Sequence, residues 1–157
     1  VSLSLSIFAL WFWAEAPHFR DMWQRIVIKS IIAIGLSNLA VLILNQFFQR
    51  ARPFDVYELE LLFYRPVDPS FPANPAAFSF AVATCIWQGN KKFGFAIYLL
   101  SGAFCFARIY AGVFYPSDVL AGALIGIAIA LIVSKIMPFT EPIPTIILRV
   151  ARRMYLG

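Results

Sequence analysis

The sequence predicts an all-α transmembrane bundle of about five spans, and three observations predict it. Hydrophobic residues make up 61% of the chain and charged residues 13%, with a mean hydropathy of +0.78; charged residues in soluble domains approach about a quarter of the total. The apolar residues fall in continuous runs, and a helix needs about 20 of them to cross ~30 Å of hydrocarbon. None of these runs alternates with period two, which argues against a transmembrane β-barrel.

The first run, Val1–Ala14, starts without a flanking charge, so part of the N-terminus is expected to lie upstream of it. Pro17 is expected to stop that helix, with Arg20, Asp21 and Arg25 solvating a short inner loop. His18, the one histidine of the chain, falls in this loop and reads as a surface residue. The second span is Ile26–Phe48, interrupted by Lys29 and carrying Asn38, Asn45 and Gln46. Amides inside a membrane helix usually bond across to a neighbour.

Residues 49–75 form the long polar connection of the chain, rich in proline and without glycine, longer than a simple connector requires. Its acidic residues Asp55, Glu58, Glu60 and Asp68 lack the oxygen-ligand spacing of a calcium loop, so no metal and no cofactor is expected. Ala76–Trp87 re-enters the membrane, Gln88–Lys92 turns, and Phe93–Phe114 returns, interrupted by Arg108 and ended by Pro116. Ser117 is expected to cap the last span, Val119–Met137, placing Asp118 in its first turn, where the helix dipole favours a carboxylate. Gly122 and Gly126, four apart, mark a face for close helix packing. Two regions result: a bundle over residues 1–138 with its outer loop at 49–75, and a basic amphipathic tail over 139–157.

Lysine and arginine sort by side. Arg20, Arg25, Lys29, Lys91, Lys92, Lys135, Arg149, Arg152 and Arg153 fall on one side, against Arg50, Arg52, Arg65 and Arg108 on the other, so the first side is cytoplasmic. The net charge of +5 reflects this bias and contact with anionic lipid, not nucleic-acid binding, since no groove of basic and aromatic residues forms. Cys85 and Cys105 lie in apolar runs and read as packing residues.

That topology brings three pieces to the outer surface: Asn45–Pro53, Phe71–Ala77 and Ala107–Asp118. A charge at the centre of a spanning helix costs about 2.5–3.5 kcal/mol, so Arg108 is expected to face a partner or a wet cavity, with Asp118 and Arg52 as the residues to test. Paired guanidiniums with a carboxylate would suit an anionic head group.

In order, these segments read Asn45-x6-Arg52-Pro53, then Ser70-Phe71-Pro72-Ala73-Asn74-Pro75-Ala76-Ala77-Phe78, then Ala107-Arg108…Phe114…Asp118 followed by Val119-Leu120-Ala121-Gly122. The pattern resembles the integral-membrane type 2 phosphatidic acid phosphatases, which include bacterial undecaprenyl pyrophosphate phosphatases, over roughly Ile26 to Met137. The resemblance implies a six-helix phosphatase-like fold whose first helix is absent from this sequence, a bacterial cytoplasmic membrane and a site on the outer face. In that family the third signature supplies a histidine nucleophile oriented by an aspartate, the second a histidine acid, and the lysine, arginines and serine hold the phosphoryl oxygens.

This sequence has Asn45 at the lysine, Ala73 at the serine, Pro75 at the acid and Phe114 at the nucleophile, leaving Arg52, Arg108 and Asp118 as a phosphate-binding remnant. Phenylalanine has no lone pair to donate and proline no proton to give. Removing one member of a cooperative catalytic unit can cost about 10⁶-fold in rate. The expectation is therefore a catalytically inactive, phosphatase-like membrane protein, a structural or lipid-binding subunit whose partners are membrane lipids and other membrane subunits. One alternative is an active outer-leaflet lipid phosphatase with Ser117, Tyr115 or Cys105 as nucleophile. Another is a non-catalytic polyprenyl-phosphate carrier or sensor. Arg108 and Asp118 could also serve as a structural ion pair joining the last two spans, with Arg52 capping loop carbonyls.

Overall fold

The computed structural model describes residues 17–56 and 66–137. The first apolar run, the tail over 139–157, and Glu58, Glu60 and Arg65 of the long connection lie outside them. Among the described residues the structure is all-helical: α1 (Pro17–Phe47), the short α2 (Pro53–Val56), α3 (Asn74–Gly89), α4 (Lys91–Tyr110) and α5 (Pro116–Ile136). Three of these helices are long and apolar enough to cross a membrane, over Met22–Phe47, Lys91–Tyr110 and Pro116–Ile136.

α3 is the exception, at 16 residues and about 24 Å. It packs against α1, α4 and α5 and buries Ala76, Ala77, Ala81, Val82 and Ile86 along its length. Its Ser79 and Thr84 hydroxyls are satisfied internally or by α4. Thr84 donates to the Phe80 carbonyl at 2.7 Å and shares a 2.7 Å bond with the Tyr98 hydroxyl, while Ser101 donates to the Ser79 carbonyl at 3.3 Å. A short helix suffices here because its neighbours, not lipid, surround it.

The α3–α5 contact depends on the two glycines. A Cβ on Gly122 would run into the Ala73 carbonyl oxygen, and one on Gly126 would run into that of Ala77. The small-residue face expected on the last span is thus a backbone-to-backbone approach to α3. Cys85 and Cys105 are buried packing residues, as expected, in two separate apolar clusters.

Three boundaries differ from expectation, each for a local reason. Pro17 opens α1, where at the first helical position proline's missing N–H costs nothing and its φ is already helical; the end of the preceding run lies outside the described residues. Arg20, Asp21 and Arg25 therefore belong to α1 and not to a loop. α4 ends at Tyr110, not at Phe114, because Gly112 turns the chain with φ at +68° and Ala111 and Gly112 donate back to the Ala107 and Ile109 carbonyls. The cap of α5 is Tyr115, not Ser117. Pro116 takes the first helical position, which puts Asp118 at the third, where its carboxylate accepts the Tyr115 N–H at 3.3 Å. At the opposite end, Asn90 closes α3 and opens α4, accepting from the Lys92 and Phe93 amides at 3.0 and 3.2 Å.

Candidate functional site

The chain leaves α1 at Phe47, returns to α3 at Asn74 and turns from α4 into α5 over 111–115, and these three passages meet at one end of the bundle. Asp118 is their common point. It is fully buried, and Arg50 NH1 donates to its Oδ1 at 2.7 Å. The Ser70 hydroxyl donates to its Oδ2, as does the Tyr115 amide. Ser117 Oγ donates to Oδ1 at 3.3 Å and accepts from Arg50 NH1 at 2.9 Å.

Backbone bonds close the arrangement. The Ser70 amide donates to the Arg50 carbonyl at 3.0 Å, and the Ala73 amide donates to the Asp118 carbonyl at 3.0 Å. Arg50, Ser70 and Asp118 therefore form a closed ring of contacts drawn from three segments. A buried carboxylate needs such saturation, because an unpaired charge in a low-dielectric site is strongly disfavoured.

The ion partner of Asp118 is Arg50, not Arg108, which corrects the expected pairing between the last two spans. Arg108 lies two residues from the end of α4, its guanidinium 5.2 Å from the Phe104 ring. It is close enough to Arg52 for like-charge repulsion, which helps to lower the Arg52 pKa. The two arginines thus come to the same region.

Arg52 is buried at 2% exposure and caps carbonyls, as expected. Its Nε donates to the Asp68 carbonyl at 2.8 Å, NH1 donates to the Val113 carbonyl at 3.3 Å, and NH2 pairs with the Asp68 carboxylate at 3.0 Å. Burial pulls its pKa below the ordinary value, and the Asp68 charge and hydrogen bond partly offset that.

The Arg52 guanidinium stacks on the Phe114 ring at 4.5 Å, and Phe114, 5% exposed, joins Ala73, Ala76, Cys105, Val113 and Val119 in one buried apolar cluster. Pro75 occupies the second position of α3, where a ring without an N–H is tolerated. Asn45 is partly buried, with its Oδ1 enclosed and unpartnered; Asn74 donates to Asn38 on α1 at 2.8 Å, with its own Oδ1 likewise enclosed and unpartnered. His18 sits at the start of α1, 27 residues and about 40 Å of helix before Asn45. Among the described residues no group of three or more His, Cys, Asp or Glu is placed to hold a metal.

Two residues of the cluster are not among those the sequence singles out for the site. Arg50 reads there as a topology signal alone, though its position two residues before Arg52, on chain that has just left a helix, places both guanidiniums on one loop. Ser70 reads as part of a signature without a role, and no local spacing signals that its hydroxyl meets a carboxylate 48 residues away.

Comparison with known proteins shows the family. Residues 26–141 match the PAP2 superfamily. The chain is 32% identical over 111 residues to the bacitracin transport permease protein BcrC of Bacillus licheniformis, covering 70% of this chain and 55% of that protein. It is 23% identical over 154 residues to the undecaprenyl-diphosphatase BcrC of Bacillus subtilis, covering 96% of this chain and 75% of that one. The crystal structure of Aquifex aeolicus LpxE superposes with a TM-score of 0.64 at 38% identity, over 71% of this chain and 68% of that chain. The chain thus spans between about half and three quarters of the curated relatives it matches. With its spanning helices and a family match over most of its length, the chain is an integral membrane protein that belongs to the PAP2 superfamily.

Proposed function

We propose that this chain is a non-catalytic member of its superfamily, serving as a structural or lipid-binding membrane protein within a larger membrane complex. The observation that carries the reading is Phe114, seated at 5% exposure beneath the Arg52 guanidinium, where relatives of this pattern place a nucleophile. Around it the charged groups are matched to one another: Asp118 with Arg50 and Ser70, and Arg52 with Asp68 and two carbonyls. A phosphoryl group seated against Phe114 would have to displace these contacts and would find neither an attacking atom nor an acid at positions 114 and 75. Surface for partners is ample, since α4 packs chiefly on α3 and exposes Phe93, Phe95, Leu99 and Phe106.

The deciding experiment measures phosphate release from polyprenyl pyrophosphate and from phosphatidic acid by the purified protein. Background release supports the reading; turnover abolished by Asp118→Ala or Arg108→Ala refutes it. Co-purification of membrane partners tests the subunit role.

One observation favours a second reading, in which the chain is a lipid phosphatase using Ser117. Its Oγ lies 3.3 Å from the Asp118 carboxylate, a potential base, and 2.9 Å from Arg50. Turnover lost in Ser117→Ala but kept in Cys105→Ala would establish it. The remaining candidates are poorly placed: Cys105 is buried in the apolar cluster, and the Tyr115 ring lies 4.1 Å beneath Arg50.

A further inference from the structure

Arg50 stands between two hollows of opposite character. On one side lies a cleft of about 580 Å³ whose charged lining is Arg50, Arg52, Asp55 and Asp68. On the other lies a hollow of about 460 Å³ walled by Phe48 and Phe71, whose rings meet edge to face at 5.3 Å. Gln49 and Arg50 line both, and Phe114 lines neither. Both are open to the surface, so a bound group would lie partly in solvent or lipid. Asp118 and Ser117 hold the NH1 end of Arg50, yet the side chain remains 43% exposed, leaving guanidinium surface to offer.

The geometry points to a phospholipid site beside the substituted centre, taking a net-neutral head group that carries both a phosphate and a primary amine. The exposed edge of Arg50 binds the phosphate, Asp68 at 58% exposure accepts from the amine, and the upper part of an acyl chain lies along Phe48 and Phe71. Charge decides the class. Two arginines and two aspartates line the cleft, so their formal charges cancel, and an anionic head group would bring added negative charge against both carboxylates. A zwitterion meets both signs, and a guanidinium fork suits its phosphate. The inference rests on the non-catalytic reading, because it supposes that lipid stays bound and unmodified.

The test is native mass spectrometry of the purified chain released from detergent micelles. The micelles contain equal amounts of phosphatidylethanolamine, phosphatidylglycerol and phosphatidic acid of one acyl composition. Phosphatidylethanolamine adducts are expected to dominate and to fall about tenfold in Arg50→Gln, as loss of one charge-assisted hydrogen bond implies. Because Arg50 also braces Asp118, a second variant is needed: Ala51→Trp places a ring in the cleft from an exposed position, and the same loss is expected. Equal or stronger retention of either anionic lipid, or phosphatidylethanolamine adducts unchanged in Ala51→Trp, overturns the site. Phosphate release is followed on the same preparations, so turnover would refute the non-catalytic reading separately from the lipid preference.

Discussion

Removing Arg50 should harm the protein more through what it leaves behind than through what it takes away. Arg50→Ala strands the fully buried Asp118 carboxylate with only the Ser70 and Ser117 hydroxyls and the Tyr115 amide. Removing one partner of a fully buried pair costs about 3–5 kcal/mol. Here Arg50 is 43% exposed, so water screens part of the attraction, and the neutral donors remain. About 2 kcal/mol is the appropriate expectation, equivalent to a Tm lowered by about 4–8 °C for a chain of this size. Adding Asp118→Asn removes the stranded charge and should recover about half of that loss, although Asp118→Asn alone is destabilising. Thermal unfolding of the four proteins in one detergent supplies the double-mutant cycle. If Arg50→Ala melts with the wild type, or the two losses simply add, Arg50 does not neutralise Asp118 in the way described.

Gly126→Val should abolish the folded state, because its side chain would collide with the Ala77 carbonyl oxygen, whereas Gly35→Ala, with nothing within 4 Å, should be neutral; size-exclusion profiles in detergent distinguish them. Phe114→His alone should leave phosphate release at background, since Arg50 and Ser70 already hold Asp118 and Pro75 offers no proton. Asp68→Asn, at an exposed partner, should cost less than about 1 kcal/mol in thermal unfolding. Arg52→Ala should cost several times more, since it strips the donor from two carbonyls and leaves a void beside the Phe114 ring.

Much of the bundle is legible in the sequence because each helix carries its own signals. Asp118 marks the first turn of α5, and Gly122 and Gly126 announce its contact face. Arg52 is legible as a capping residue, since a guanidinium near a proline-rich loop has carbonyls to find. The partner of Asp118 is not, because that choice depends on how far α4 runs. Had the helix continued to Phe114, the start of α5 would lie elsewhere relative to Arg108; Gly112 ends the helix early, and the turn brings the α5 terminus under Arg50. That α3 is short is plain from its apolar run, Ala76–Trp87; why it can be short is not. Its environment, three flanking helices, sets how long it must be, and no residue within it records that.

The ring of Arg50, Ser70 and Asp118 has a mechanical meaning. Three bars pinned at three nodes form a truss, the smallest frame that cannot shear, and this one binds the chain after α1, the chain before α3 and the first turn of α5. Loosening of the bundle is therefore expected to begin at the far end, like a clothes-peg held at its spring. That far end carries weak points: the Gln24 amide is buried at 1% exposure with neither polar atom matched, and the Ser134 hydroxyl is enclosed without a partner. The end that holds Phe114 and Pro75 is the one built to stay shut.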